Sequence, residues 1–183
     1  MKTKFFKVTA ILGVLAVASA CSATRTQQSA GEVIDDSALT SQVKIALIDD
    51  PVTKAGQINV ETYRGVVQLG GFVDNTEQKT QATKVARSVT GVKEVRNDLR
   101  VSTKPAATVG QDIDDSMLTS LVKAKLVDDS TTKAYQINVG TEQAVVQLTG
   151  FVDSTAMKTR AGDLARSVDG VKVVRNDLEI RQK

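Results

Sequence analysis

The chain has no histidine and no tryptophan, a single cysteine, and aromatic residues at only 3 % of its 183 positions. Each scarcity removes a class of function. Without histidine there is no imidazole general base, no Ser-His-Asp or Cys-His nucleophilic arrangement and none of the usual zinc ligand sets. Carboxylates and lysines remain, and the glycines fall at turns rather than in a phosphate-cradling loop. No enzyme activity, metal or cofactor is expected. The paired acids Asp49-Asp50 and Asp128-Asp129 could attract a cation, but they lack the spaced oxygen ligands of a calcium loop and read as solvated helix stops.

Scarce aromatics also leave a nucleic acid without stacking platforms, and the charge agrees. The formal net charge of +3 equals the three lysines at positions 2, 4 and 7, so the rest of the chain is balanced and a nucleic-acid partner is not expected. Those lysines precede the apolar stretch Val8 to Val17, which is too short to span a bilayer, and Ala18-Ser19-Ala20, the small residues a signal peptidase requires. Residues 1–20 therefore read as an export signal. Cys21, the first residue after the expected cut, cannot form an internal disulfide, and an exposed free thiol is out of place in an oxidising compartment. The run resembles the bacterial lipoprotein signal, in which the cysteine after the cut is acylated. Because Ser22, not aspartate, follows it, the expected address is the periplasmic side of the outer membrane, with the soluble periplasm as the alternative.

What the chain does have is the same text twice. Ile34 to Val101 realigns without a gap on Ile113 to Ile180, an offset of 79 positions, with about two-thirds of residues identical. Residues 21–32, rich in Ser, Thr, Gln and Ala, read as a flexible tether, 33–101 as the first domain, 102–112 as a linker and 113–183 as the second domain.

Within the first copy, Asp35, Asp36 and Ser37 offer N-cap oxygens to a helix whose Leu39, Val43, Ala46 and Leu47 recur at helical spacing until Asp49-Asp50-Pro51. Two β-rich runs, residues 57–61 and 66–69, flank the tight turn Tyr63-Arg64-Gly65, with Gly71 expected to close the hairpin. Asp74, Asn75 or Thr76 can cap a second helix with an apolar stripe of Ala82, Val85, Ala86 and Val89, ended by Gly91. A last strand through Val92, Val95, Leu99 and Val101 should be irregular near Asn97-Asp98. The order α-β-β-α-β predicts an α+β fold. A helical crossover makes strands two and three parallel, giving a mixed three-stranded sheet packed on two helices.

The segments Gly65 to Val73 and Gly91 to Leu99, repeated as Ala144 to Val152 and Gly170 to Leu178, resemble the BON domain. Tandem BON domains behind an export signal look like envelope proteins of Gram-negative bacteria. The resemblance implies phospholipid binding, support of envelope integrity under osmotic or other stress, or chaperone-like help to exported proteins. Its motifs are specific for fold and carry no chemistry. Ala144 departs from the pattern where the hairpin glycine is missing, so a different turn type is expected there. The repeated Arg96-Asn97-Asp98-Leu99 and Arg175-Asn176-Asp177-Leu178 fit a structural role at a strand bend better than an active site.

The copies differ most usefully on their first helices. The row Ala38, Gln42, Ala46 becomes Met117, Leu121, Lys125, which broadens the apolar flank, with Lys123 and Lys125 expected beside it. Apolar residues next to lysines suit an anionic phospholipid surface, while the competing expectation is that this flank docks on the first domain. The sequence thus supports a non-enzymatic envelope lipoprotein, lipidated at Cys21 and binding membrane phospholipid or envelope partners. The alternatives are a periplasmic chaperone for exported proteins and an adaptor for one envelope protein.

Overall fold

In the computed structural model, residues 30–53, 57–102, 109–132 and 137–181 are described. The first repeat forms α1 (Ala30–Asp49), β1 (Ile58–Tyr63), β2 (Val66–Val73), α2 (Thr76–Ser88), β3 (Glu94–Asn97) and β4 (Arg100–Val101). The second forms α3 (Val109–Asp128), β5 (Ile137–Glu142), β6 (Val145–Val152), α4 (Thr155–Arg166), β7 (Val173–Asn176) and β8 (Glu179–Ile180). In each copy the middle strand pairs antiparallel with the strand before it and parallel with the one after the helix, as the crossover requires.

The last strand breaks where Asn97 and Asp98 were expected to disturb it. The Asn97 side chain accepts from Leu99 N at 3.0 Å, an Asx turn that interrupts the ladder before β4 rejoins β2. At the other end of the crossover, Asn75 caps α2 by accepting from Gln78 N, and Ser154 caps α4 by accepting from Met157 N. Leu39, Val43 and Leu47 of α1 meet Ala82 and Ala86 of α2 over Val60, Val67, Leu69 and Val95 of the sheet, all buried. The second repeat builds the same core from Leu118, Val122, Leu126, Ala161, Ala165, Val139, Val146 and Leu148.

Four sequence expectations are corrected. First, α1 and α3 begin at Ala30 and Val109, inside the stretches read as tether and linker. Secondly, Asp36 is no N-cap. It lies one to two turns inside α1, is buried, and its carboxylate accepts from Arg64 N at 2.6 Å and Gly65 N at 2.9 Å in the β1–β2 turn. A carboxylate that joins helix to hairpin is worth more to the fold than one capping a helix start that water could satisfy. Thirdly, the second hairpin uses the same turn as the first. Arg64 and Gly65 have φ of 52° and 81°, Gln143 and Ala144 52° and 63°, and Asp115 accepts from Gln143 N and Ala144 N as Asp36 does from its pair. The two charged hydrogen bonds hold Ala144 in a backbone region that favours glycine. Fourthly, Gly71 does not close the hairpin but lies within β2, opposite Ile58, with φ of 112°.

The two domains stack sheet on sheet, so the order of layers is helices, sheet, sheet, helices. Both β2 and β6 are buried along nearly their whole length on both faces. Val67, Leu69 and Val73 face the helices of their own domain. Gln68, Gly70 and Phe72 alternate with them and face the other domain, as the two-residue period of a strand dictates. An added Cβ at Gly70 would lie 2.5 Å from Thr149 of β6, and one at Gly140 3.6 Å from Phe72, so small residues on one sheet receive larger ones from the other.

Candidate functional site

The domain interface is built on near-symmetric hydrogen bonds. Gln68 donates from Nε2 to Asp177 O (2.7 Å) and Asp98 Oδ2 (2.7 Å), and accepts at Oε1 from Gly150 N (2.8 Å). Gln147 does the same in return with Asp98 O (2.8 Å), Asp177 Oδ2 (2.8 Å) and Gly71 N (2.8 Å). The positive φ of Gly71 and Gly150 belongs to this arrangement, and a Cβ at Gly71 would stand 2.1 Å from Gln57 O. The Arg-Asn-Asp-Leu bends therefore shape their own strand and also receive the other domain's glutamine.

Around this centre the two sides differ. On one, Tyr63 stacks on Phe151 with ring centroids 5.5 Å apart, the Arg181 guanidinium sits 5.2 Å over Tyr63, and Arg96 pairs with Glu94 (3.1 Å) and Glu179 (2.5 Å). The Glu179 hydrogen bond, with burial opposing it, raises the Arg96 pKa further. On the other side Glu142 stands in place of Tyr63, and a cleft of about 500 Å³ opens between Phe72, Leu99, Arg100, Val101 and Arg175.

The flank singled out by sequence stays open. Met117 is 64 % exposed and Leu121 46 %, one turn apart on α3. The sheets, not this flank, carry the domain contact, which corrects the docking expectation: a face of β-sheet opposite the helices offers more apolar area than one helical row. Lys125 continues the row, but its Nζ donates to Ser167 O (3.1 Å) and Ser167 Oγ (2.9 Å) at the end of α4, a cation on a helix C-terminus. Lys123 is exposed and lies about 200° round the helix from Leu121, so it does not join the other three. It shares the opposite flank with Val127, 66 % exposed. On α1 the equivalents of Met117 and Leu121 are Ala38 and Gln42, while Ile45 and Ile48 are exposed on the far flank. Cys21 lies outside the described residues.

The paired acids cap loops. Asp50 Oδ1 accepts from Val52 N and Thr53 N, and its Oδ2 from Gln81 Nε2; Asp129 accepts from Thr131 N and Thr132 N and pairs with Arg160 at 2.7 Å. The Gln81 bond first and the Thr53 amide next lower the Asp50 pKa, and the Arg160 bond lowers that of Asp129. Among the described residues no cluster of His, Cys, Asp and Glu could hold a metal ion, and no helix is long and apolar enough to cross a membrane.

This fold defines a tandem αββαβ protein whose two copies meet through their sheets. The chain belongs to the BON-domain family, whose model matches residues 35–103 and 114–182. It is 42 % identical over 151 residues to osmotically-inducible protein Y of Escherichia coli K12, covering 82 % of this chain and 75 % of that one. It is 38 % identical over 168 residues to the outer membrane lipoprotein DolP of Haemophilus influenzae, covering 91 % and 84 %. A 21 kDa hemolysin of Actinobacillus pleuropneumoniae is 36 % identical over 148 residues, covering 80 % and 75 %.

Proposed function

We propose that this protein is a non-enzymatic lipoprotein of the bacterial envelope, cut before Cys21 and acylated there, whose second domain meets anionic phospholipid through the α3 row of Met117, Leu121 and Lys125. The observation that carries the reading is the exposed Met117–Leu121 pair, one turn apart on α3, with Lys125 continuing the same row; Ile45 and Ile48 are exposed too, but on a flank of α1. Exposed apolar side chains beside a lysine enter the headgroup region while the ammonium stays among the phosphates. The relatives named as an osmotically inducible protein and an outer membrane lipoprotein support an envelope address. Support of the outer membrane under stress is the corresponding task. Lys123, on the opposite flank, adds only long-range attraction.

Flotation of the mature chain carrying Cys21→Ser on phosphatidylglycerol and phosphatidylcholine vesicles tests the lipid reading, which requires recovery with the anionic vesicles alone. Recovery with neither excludes it and favours a protein partner or client. Labelling with a fatty acid tests the anchor separately: the parent takes up label and Cys21→Ser does not.

A further inference from the structure

The interface is close to two-fold symmetric in its centre, yet its two margins pair their charges differently. On the closed margin Arg96 has two carboxylate partners, Glu94 and Glu179. Its counterpart 79 positions on is Arg175, whose corresponding neighbours are Val173 and Arg100, so both carboxylates are gone and one has become a second guanidinium. The Arg175 guanidinium, exposed at the rim of the cleft, makes no hydrogen bond or ion pair among the described residues. Arg100 spends one nitrogen on Asp177 at 3.1 Å, while its Nε is buried with no acceptor. Lys79 lines the same cleft, half-buried, and its ammonium has no partner, whereas its counterpart Lys158 donates to Leu178 O at 2.6 Å.

Three cations therefore surround one cleft of about 500 Å³ with donors unspent. Asp98 and Glu142 also line it and keep their charge, each accepting from a neutral donor, Gln68 at 2.7 Å and Ser102 at 2.5 Å, so three cations against two carboxylates leave the lining net positive by one. Phe72 and Val101 supply an apolar wall. A half-buried guanidinium with an unsatisfied donor, facing another cation, is unfavourable unless an acceptor anion joins them. Guanidinium and ammonium groups converging on one point match the oxygens of a phosphate ester, and the wall accommodates the organic group the ester carries.

We propose that the cleft between the domains, bounded by Lys79, Arg100 and Arg175, is a binding site for a phosphate ester of about headgroup size. It is separate from the α3 row and does not depend on it. The ester comes either from a lipid headgroup or from a small soluble phosphate, since both offer the same oxygens.

The test is a titration of the ¹⁵N-labelled mature chain carrying Cys21→Ser and Leu121→Asp, which removes the α3 row as a competing lipid contact. The probes are inorganic phosphate, glycerol 3-phosphate and monomeric dihexanoyl phosphatidylglycerol. Saturable shifts at the amides of residues 98–101 and 142–145 are expected. Lys79→Gln and Arg175→Gln, neither of which breaks an internal bond, should each weaken binding about tenfold. Arg96→Gln on the closed margin should leave it within about twofold, as its charge is already spent. Saturation by the short-chain lipid supports a headgroup as the source, and saturation by the two small anions alone supports a soluble phosphate. Absence of saturable shifts with all three probes, or shifts indifferent to Lys79→Gln and Arg175→Gln, overturns the site. Because Leu121→Asp is present throughout, failure here leaves the vesicle result untouched, and the reverse holds too.

Discussion

Gln68 and Gln147 face each other across the two sheets, and each completes the backbone of the domain it does not belong to. Gln68 Nε2 reaches Asp177 O at 2.7 Å and Gln147 Nε2 reaches Asp98 O at 2.8 Å, while their Oε1 atoms take the N–H groups of Gly150 and Gly71. This is the self-complementary pattern of a two-fold dimer, made here within one chain by a repeat of 79 positions.

Breaking one half of the pattern should cost stability. Gln68→Leu keeps the size and removes the polar atoms, leaving the Gly150 N–H and Asp177 carbonyl without partners in a buried interface. A loss of about 1–3 kcal/mol is expected. Urea unfolding measures it, and solution scattering should show a larger radius of gyration if the sheets part before the domains unfold. A loss below a few tenths of that range, with no change in scattering, would mean water replaces the amide without cost.

The second hairpin gives a prediction of opposite sign. Ala144 holds φ of 63° because Asp115 accepts from it and from Gln143. Ala144→Gly removes the left-handed penalty and adds freedom to the unfolded chain, for a net gain of up to about 1 kcal/mol. Asp115→Asn should cost about 1–2 kcal/mol, since one acceptor oxygen becomes a donor facing an N–H. Thermal melts of the two variants should therefore move in opposite directions.

Two glycines with positive φ should behave differently. Gly91 has φ of 98° with its nearest Cβ neighbour at 3.6 Å, so Gly91→Val meets backbone strain and costs on the order of 1–3 kcal/mol. At Gly71 the added Cβ would strike Gln57 O at 2.1 Å, and Gly71→Ala displaces β1 from β2. Gly91→Val should therefore fold with a lowered melting temperature, and Gly71→Ala should lose the cooperative transition. Similar melts for both would show that β1 shifts easily.

Most of the domain was legible in sequence because each element carries its own signal. The apolar stripe of α2 with its Asn75 cap, the Asp49-Asp50-Pro51 stop and the Asn97 bend are local, and a period or a cap suffices to read them. The far face of β2 was a different matter. From Val66 to Val73 the only polar side chain is Gln68, the near-continuous apolar pattern of a strand buried on both faces. That pattern calls for a layer on each face, whereas the expected packing on two helices covered one face only and sought the domain contact on the α3 flank. Asp36 was misread for a related reason: an aspartate near a helix start looks the same whether its partner is the helix or a turn 28 residues later. The exposure of Met117 and Leu121 followed from helical spacing, whereas Lys123 fell away from them for the same geometric reason, two residues being about half a turn too few to share a row.

Stability should decline in acid through Asp50 and Asp129. Both carboxyls are held below their ordinary range, so the folded state binds their protons less readily than the unfolded state. Their contribution is complete above the ordinary carboxylate pKa of about 4 and is lost as pH falls through the lowered folded values. Urea midpoints from pH 7 down to pH 2.5 should be flat and then fall below about pH 4. Asp129→Asn should lower the midpoint at pH 7 and shallow the acid decline. An equal decline in parent and variant would place the acid sensitivity elsewhere.

The proposed contact with lipid should separate the two first helices most sharply. Leu121→Asp puts a charge in the centre of the α3 row and should abolish recovery with phosphatidylglycerol vesicles, while Gln42→Asp at the matching place on α1 should leave it nearly intact. Lys125→Gln should weaken recovery by about fivefold at low salt and much less at 0.5 M salt, because a lysine near an anionic surface contributes about 1 kcal/mol that is screened within a Debye length. Its bond to Ser167 is lost as well, so a small fall in melting temperature should accompany the change without altering the salt dependence. Lys123→Gln, on the opposite flank, should change recovery less than Lys125→Gln. Because the domains meet through their sheets, Leu121→Asp should leave the radius of gyration unchanged. Equal losses from Gln42→Asp and Leu121→Asp would mean that both helices, or neither, address the membrane.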